Sequence, residues 1–287
     1  MSAGGSELRR RIRSIQNTAQ MTRAMQMVAA SKMRRAQQAA LNVRPFAQAL
    51  YRIQRHAIRS AQDFAHPLLD TRAVRRRAVI LVAGDKGLCG ALNANVFRLA
   101  TEFEVETTGF IAAGRKAAQF VTQTRRRLLA EFPYGDAPRF AEARAMAAMA
   151  RDLFLKRQVD EVSIVATRFV NTLTQSPMVM PWLPIGDLGR LQLPGLEVDA
   201  PARPGACLFE PSPEAMLSDF LPRYLNISLY IVLLNAKASE QSARMVSMKN
   251  ATDNAEQLIR ELTLTYNTLR QGAITRELLE IAGGQVR

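Results

Sequence analysis

Cysteine is nearly missing from this 287-residue chain, which has only Cys89 and Cys207. They lie far apart in sequence, so neither a disulfide framework nor a paired-cysteine zinc site is available, and a reducing compartment fits best. Histidine is equally scarce: His56 and His66 stand alone, in basic and polar surroundings that suit surface histidines better than a ligand pair. No HExxH, GxSxG or CxxC signature occurs, which argues against zinc-peptidase, serine-hydrolase and dithiol chemistry. No apolar run reaches the roughly 18 residues of a membrane span, and the opening MSAGGSELRRRIRS lacks the apolar centre of a secretory signal. The expectation is a cytosolic chain with no direct membrane insertion, no catalytic constellation, no metal and no cofactor.

What is present is 48% hydrophobic and 22% charged residues, the balance of a folded globular protein. Charge of one sign gathers at one end. Residues 1–62 carry twelve Arg or Lys against Glu7 alone, a balance of +11 within a total of +14, whereas residues 212–287 carry eight of each sign. The first segment is expected to face an acidic partner, whether nucleic acid, anionic lipid or protein.

From Leu8 to Leu50, small or apolar residues recur at alternating steps of four and three, through Ile15, Thr22, Ala29, Ala36 and Val43. The same rhythm returns from Ile227 to Ala273, through Leu234, Gln241, Met248, Ala255 and Leu262. Both are coiled-coil seams. The first predicts a helix over about 7–62, with Ser6 as its N-cap and a bend at Pro45; the second spans about 70 Å at 1.5 Å per residue. Two terminal seams around a folded middle most simply pair antiparallel, and their many Ala, Thr, Gln and Met positions make a slim coil of moderate stability. Met21 and Met25 lie off the seam, on a second stripe with Val28, and ask for a surface beyond the pair.

The middle alternates strand-like runs, AVILVAG (78–84), TGFIAAG (108–114) and VDEVSIVATRFV (159–170), with helical stretches at 91–103, 115–124 and 139–157. That alternation predicts a mainly parallel sheet flanked by helices. A Pro-rich passage from Pro177 to Pro213 reads as an irregular return path, after which Glu214 suits the positive end of the last helix. The fold class is therefore α/β: a long antiparallel two-helix coil from the N- and C-terminal helices plus a central Rossmann-like domain. The expected division is 1–66, 67–212 and 213–287.

The stretch VILVAGDKGLCGALNAN (79–95) raises the question of phosphate binding. Gly84, Gly87 and Gly90 match neither the dinucleotide fingerprint nor a P-loop, because Lys86 stands at the second glycine position and Ala91 follows the last. A tight turn at a strand end is the better reading. Cys89 reads as a packed structural cysteine, and Asp85 with Lys86 as a local surface pair. A basic coiled coil that binds nucleic acid and an α/β nucleotide-binding enzyme remain alternatives; neither accounts for the paired seams.

Four stretches carry a resemblance: QNTAQMTRAMQMVAASKMR (16–34), GDKGLCGALN (84–93), SEQSARMVSMKNATDNA (239–255) and YNTLRQGAITRELLEIAGG (266–284). In order and over essentially the full length, they resemble the γ subunit of bacterial F-type ATP synthases. The resemblance implies a non-catalytic rotor shaft inside a ring of α and β subunits, coupling ion-driven rotation of the c-ring to conformational change at the β sites, on the cytoplasmic side of the plasma (inner) membrane. Arg23, Met25 and Lys32 match the family motif facing β, and Arg270, Gln271 and Thr275 fall at its catch contacts. Contact with the c-ring and the ε subunit is expected near Cys207, Leu208, Phe209 and Glu210. No nucleic-acid partner is implied, and no nucleotide is expected at the glycine turn. The family turn commonly reads RGLCGG where this chain has Lys86 and Ala91, Gly272 interrupts the final helix, and the tail GGQVR is polar.

Overall fold

The computed structural model describes residues 3–60, 64–186 and 212–284. They divide into two compact units, one from the chain up to Ala30 together with residues from Arg244 onward, the other Ser31–Ala243. Two long helices contribute to both: α1 (Ala3–Ser60) and α5 (Pro213–Gly284).

In the first unit α1 and α5 run antiparallel, with Thr22 level with Thr252, 2.7 Å apart at their hydroxyls, and Arg9 over the Tyr266 ring. The seam prediction holds along both helices with one exception. On α1, Leu8, Ile12, Ile15, Ala19, Thr22 and Gln26 are half-buried and Ala29 buried, while the residues between them are exposed. On α5, Met248, Thr252 and Ala255 are buried, and Ile259, Leu262 and Tyr266 half-buried; Leu269 departs from the pattern and is exposed. Helix α1 begins at Ala3, ahead of the expected cap, so Ser6 lies inside it, and it runs with Pro45 in its interior.

The second unit is built on a five-stranded sheet of β1 (Arg77–Val82), β2 (Thr108–Ala113), β3 (Arg127–Phe132), β4 (Glu161–Phe169) and β5 (Gln175–Leu183), in spatial order β3-β2-β1-β4-β5. All neighbours are parallel except β4 and β5. Between the strands lie α2 (Leu92–Thr101), α3 (Arg115–Gln123) and α4 (Phe140–Leu155), close to the expected positions. Alternate residues of β1 feed two cores. Ala78, Ile80 and Val82 face α4 and the early part of α5 (Met146, Phe154, Leu225, Leu229), and Val79, Leu81 and Ala83 face α2 and α3 (Val96, Ala117, Val121). Strands buried on both faces need continuous apolar runs, which is why β1, β2 and β4 are legible in the sequence.

Two strands escape that logic. β5 corrects the reading of the Pro-rich passage as irregular from its start: Pro177 and Pro181 sit in a paired strand, opposite Thr167 and Ser163. An edge strand bonds on one side only, so a residue without an N–H is tolerated when that side faces outward. β3 is the other edge, and its RLLAEF is too mixed to read as buried. At the start of α5, Pro213 opens the helix, Glu214 lies in the first turn, and the Ser212 hydroxyl accepts the Ala215 N–H at 3.2 Å.

His66 has a structural task. Its Nδ1 accepts the Leu68 N–H at 3.2 Å, capping a short 3-10 turn at Pro67–Leu69, and burial lowers its pKa from 6.5. Only the neutral ring can accept that bond. Its stabilising contribution is therefore complete above pH 6.5 and is lost as pH falls through the lowered folded value. The urea unfolding midpoint is expected to drop between about pH 7 and pH 5, and His66→Asn, which caps without titrating, should flatten that drop.

Candidate partner interface

The coil of the first unit satisfies its own seam and leaves a second stripe open. Met21, Met25 and Val28, spaced i, i+4, i+7, lie on one face of α1 and are 60%, 39% and 53% exposed. Further along α5, Leu264, Ile274, Leu278 and Leu279 are also exposed. A contiguous apolar stripe on a helix whose core-facing side is already filled marks a contact surface. Methionine suits a contact that must adapt, because its unbranched thioether repacks at low cost. Arg23 stands beside this stripe, 62% exposed at its side chain, and forms an ion pair with Glu256 of α5. Exposed pairs of this kind contribute less than about 1 kcal/mol, so the guanidinium can exchange partners.

In the second unit, two of the sequence motifs meet. Gly84, just past the end of β1, lies against the Glu240 side chain of α5, so closely that a Cβ on Gly84 would lie 2.8 Å from the Glu240 carboxyl carbon. Glu240 Oε2 accepts from Lys237 Nζ at 2.8 Å, with both side chains almost fully buried. The Lys237 ammonium also sits 4.5 Å from the centre of the Tyr134 ring, whose hydroxyl donates to Ala83 O at 3.0 Å. Burial, followed by the charges of Glu240 and Asp85, pushes the Tyr134 pKa well above 10. Lys32 donates to Asp136 at 2.5 Å, and Gln241 donates to the other carboxylate oxygen at 3.4 Å. The Lys32 hydrogen bond holds the Asp136 carboxyl below its ordinary value.

This geometry answers the question of the glycine turn. The space beside Gly84 is filled by a carboxylate, the group that most strongly repels phosphate. Gly84 is required for close approach of Glu240, and Gly90 for its positive φ of 59°. Cys89 is buried and accepts from Asn93 Nδ2 at 3.5 Å, as a packed cysteine should. Asp85 Oδ1 accepts the Arg115 N–H at 2.8 Å and so caps α3 from thirty residues upstream.

The expected contact residues fall in several places. Arg23 and Met25 lie together on the open face of α1; Lys32 belongs to the second unit, engaged with Asp136. Arg270, Gln271 and Thr275 are exposed on α5, and the Thr275 hydroxyl bonds back to Gln271 O at 3.0 Å. Since Thr252 is level with Thr22, Arg270 stands about 28 Å further along the coil than Arg23, so the two groups of residues lie well apart on it. Cys207, Leu208, Phe209 and Glu210 lie outside the described residues. Sequence reasoning missed the Lys237–Glu240–Tyr134 cluster. Its signal was present in two opposite charges three residues apart within an otherwise apolar and small stretch of α5.

The described residues thus define a class of protein: a Rossmann-like α/β sheet combined with a coiled coil of the two terminal helices. A family model described as ATP synthase matches residues 5–286. The ATP synthase gamma chain of Opitutus terrae is 44% identical over 290 residues, covering 99% of this chain and 98% of that one, and that of Heliobacterium modesticaldum is 40% identical over 286 residues, covering 98% of each. The chain belongs to the ATP synthase gamma chain family. Among solved structures, the central stalk and c-ring of Tetrahymena thermophila mitochondrial ATP synthase contains a chain with a TM-score of 0.59 and 25% identity, covering 80% of this chain and 99% of that one. The rotor of the Euglena gracilis mitochondrial enzyme gives 0.65 at 20% identity, covering 94% and 99%, a likeness of fold. Family membership favours the rotor reading over nucleic-acid binding and nucleotide enzymology.

Proposed function

We propose that the chain is the central rotor shaft of an F-type ATP synthase. The helix pair stands within a ring of α and β subunits, the sheet-bearing part meets the c-ring and the ε subunit, and the chain itself performs no chemistry. Its parts are the segment 1–66 that carries α1, the α/β foot of 67–212 and the segment 213–287 that carries α5. The complex holds it at the cytoplasmic face of the inner membrane; among the described residues no helix is long and apolar enough to cross one. The observation that carries the reading is the open face of α1, where an adaptable apolar stripe of Met21, Met25 and Val28 lies on a strongly basic helix whose seam is already closed. A rotating contact of that kind biases each β site in turn toward a different conformation, which is how binding energy at one place becomes a population shift at another.

Two contacts are proposed with β. Arg23, Met25 and Lys32 meet an acidic loop, and Arg270, Gln271 and Thr275 form the second contact further along the coil. Cys207, Leu208, Phe209 and Glu210 are proposed to meet the c-ring and ε. Co-expression with the organism's own α and β subunits tests the assignment: the chain should enter a complex with them, and ATPase activity should depend on it. A chain that elutes alone while α and β are indifferent to it sinks the proposal. Within the complex, Arg23→Glu is expected to lower proton pumping per ATP hydrolysed without lowering subunit yield, since the exposed Arg23–Glu256 pair adds little stability. Unchanged pumping per ATP would remove Arg23 from the coupling contact.

A further inference from the structure

Helix α1 is crowded with cations, yet among the described residues just two of them sit in ion pairs. Arg23 pairs with Glu256 of α5, and Lys32 donates to Asp136 Oδ2 at 2.5 Å. Arg10, Arg11, Arg13, Arg34 and Arg35 are exposed and have no ion pair among the described residues. The paired cations are the same two proposed above to meet an acidic loop of β.

Both pairs are built to come apart. The side chains of Arg23 and Glu256 are 62% and 39% exposed, those of Lys32 and Asp136 33% and 50%, so water competes for all four groups and neither pair contributes much. Asp136 keeps its charge and its place without Lys32. The Lys32 hydrogen bond is the largest cause of its lowered pKa, and the nearby charges of Lys237 and Lys86 act in the same direction. Its other oxygen accepts from Gln241 Nε2 at 3.4 Å, which steadies the carboxylate when the ammonium leaves.

We propose that Glu256 and Asp136 are resident substitutes for the partner's carboxylates, each holding its cation while no β loop is in reach and yielding it when one arrives. The inference rests on the assignment of Arg23 and Lys32 to β. The free energy of that contact is then the difference between two ion pairs of like kind, and only such a difference can bias one rotor angle against another. A shaft that must leave each β subunit as readily as it met it needs this difference to be small.

The test treats the chain, alone and in the complex with its own α and β subunits, with a water-soluble carbodiimide. The reagent joins an ammonium and a carboxylate in contact through an amide bond, taking up the water that is lost, and mass spectrometry of the peptides reads the links. In the chain alone Lys32 should link to Asp136. In the complex that link should fall and links from Lys32 to β carboxylates appear, and Asp136→Asn should raise the latter about two- to fivefold. The amide keeps an oxygen for Gln241 and removes only the charge, so the variant chain alone should melt within about 2 °C of the wild type. Arg23→Lys, with and without Glu256→Gln, repeats the comparison at the other pair. Links from Lys32 to β that Asp136→Asn leaves unchanged overturn the proposal while the β contact stands; no such links in wild type or variant remove the β contact and the proposal with it. A Lys32–Asp136 link as strong inside the complex as outside, or a melt several degrees lower in Asp136→Asn, makes the pair structural and overturns the proposal as well.

Discussion

Glu240→Ala is expected to cost about 3–5 kcal/mol of folding stability, read as a lowered urea midpoint followed by circular dichroism. The side chains of Lys237 and Glu240 are 1% and 3% exposed, and their contact is 2.8 Å. Removing the carboxylate leaves an ammonium among Tyr134 and apolar neighbours with no water to replace its partner, and such a charge must be neutralised or released by unfolding. The pair itself is not the most stable solution. Replacing both members, Lys237→Met with Glu240→Leu, should recover most of the loss, because a buried ion pair and a well-packed apolar pair of similar volume differ little. Glu256→Ala is the contrasting case. It breaks the exposed pair with Arg23 and should shift stability by less than about 1 kcal/mol. Single variants of Lys237 and Glu240 that behave like Glu256→Ala would show that water reaches the pair.

Gly114→Ala should cost about 3 kcal/mol or more, through a backbone conformation open essentially to glycine together with a steric clash. Gly114 joins β2 to α3 with φ 94° and ψ 150°, a region open essentially to glycine. A Cβ there would lie 2.2 Å from Ala83 O. That carbonyl cannot retreat freely, since it accepts the Tyr134 hydroxyl and belongs to the residue whose N–H bonds Ala113 O at 3.0 Å. Gly87 and Gly135 are the controls: a Cβ at either meets nothing within 4 Å, and alanine there should be neutral or slightly stabilising. Thermal unfolding of the three variants side by side decides the matter. A Gly114→Ala melt within a degree or two of Gly87→Ala would mean that the turn rearranges without penalty.

These two positions also mark how far the sequence reaches. The seams of α1 and α5 were legible because a period of 3.5 is a local property of each helix, and the observed burial at Ile12, Ala29, Met248 and Ala255 follows it. The same holds for β1, β2 and β4, whose apolar runs announce burial on both faces. The exposed stripe of Met21, Met25 and Val28 was legible by subtraction, as apolar residues that the seam does not use. The edge strands were not, since a strand paired on one side has no pattern to keep: β5 accepts two prolines and β3 mixes two charges among apolar residues.

Sequence by itself therefore determined the two terminal helices, the three central strands, the basic character of α1 and, through four motifs, the family. Each of these is encoded within a window of ten to fifty residues. Tertiary structure alone decided what the glycines and buried charges are for. Gly84 meets Glu240 across more than a hundred and fifty residues, Asp85 caps a helix thirty residues away, and Arg77, Thr108 and Arg127 become neighbours only when three parallel strands align. Such contacts depend on where the chain returns after crossing over the sheet, and no local pattern records that, because the partners share neither a helix face nor a strand.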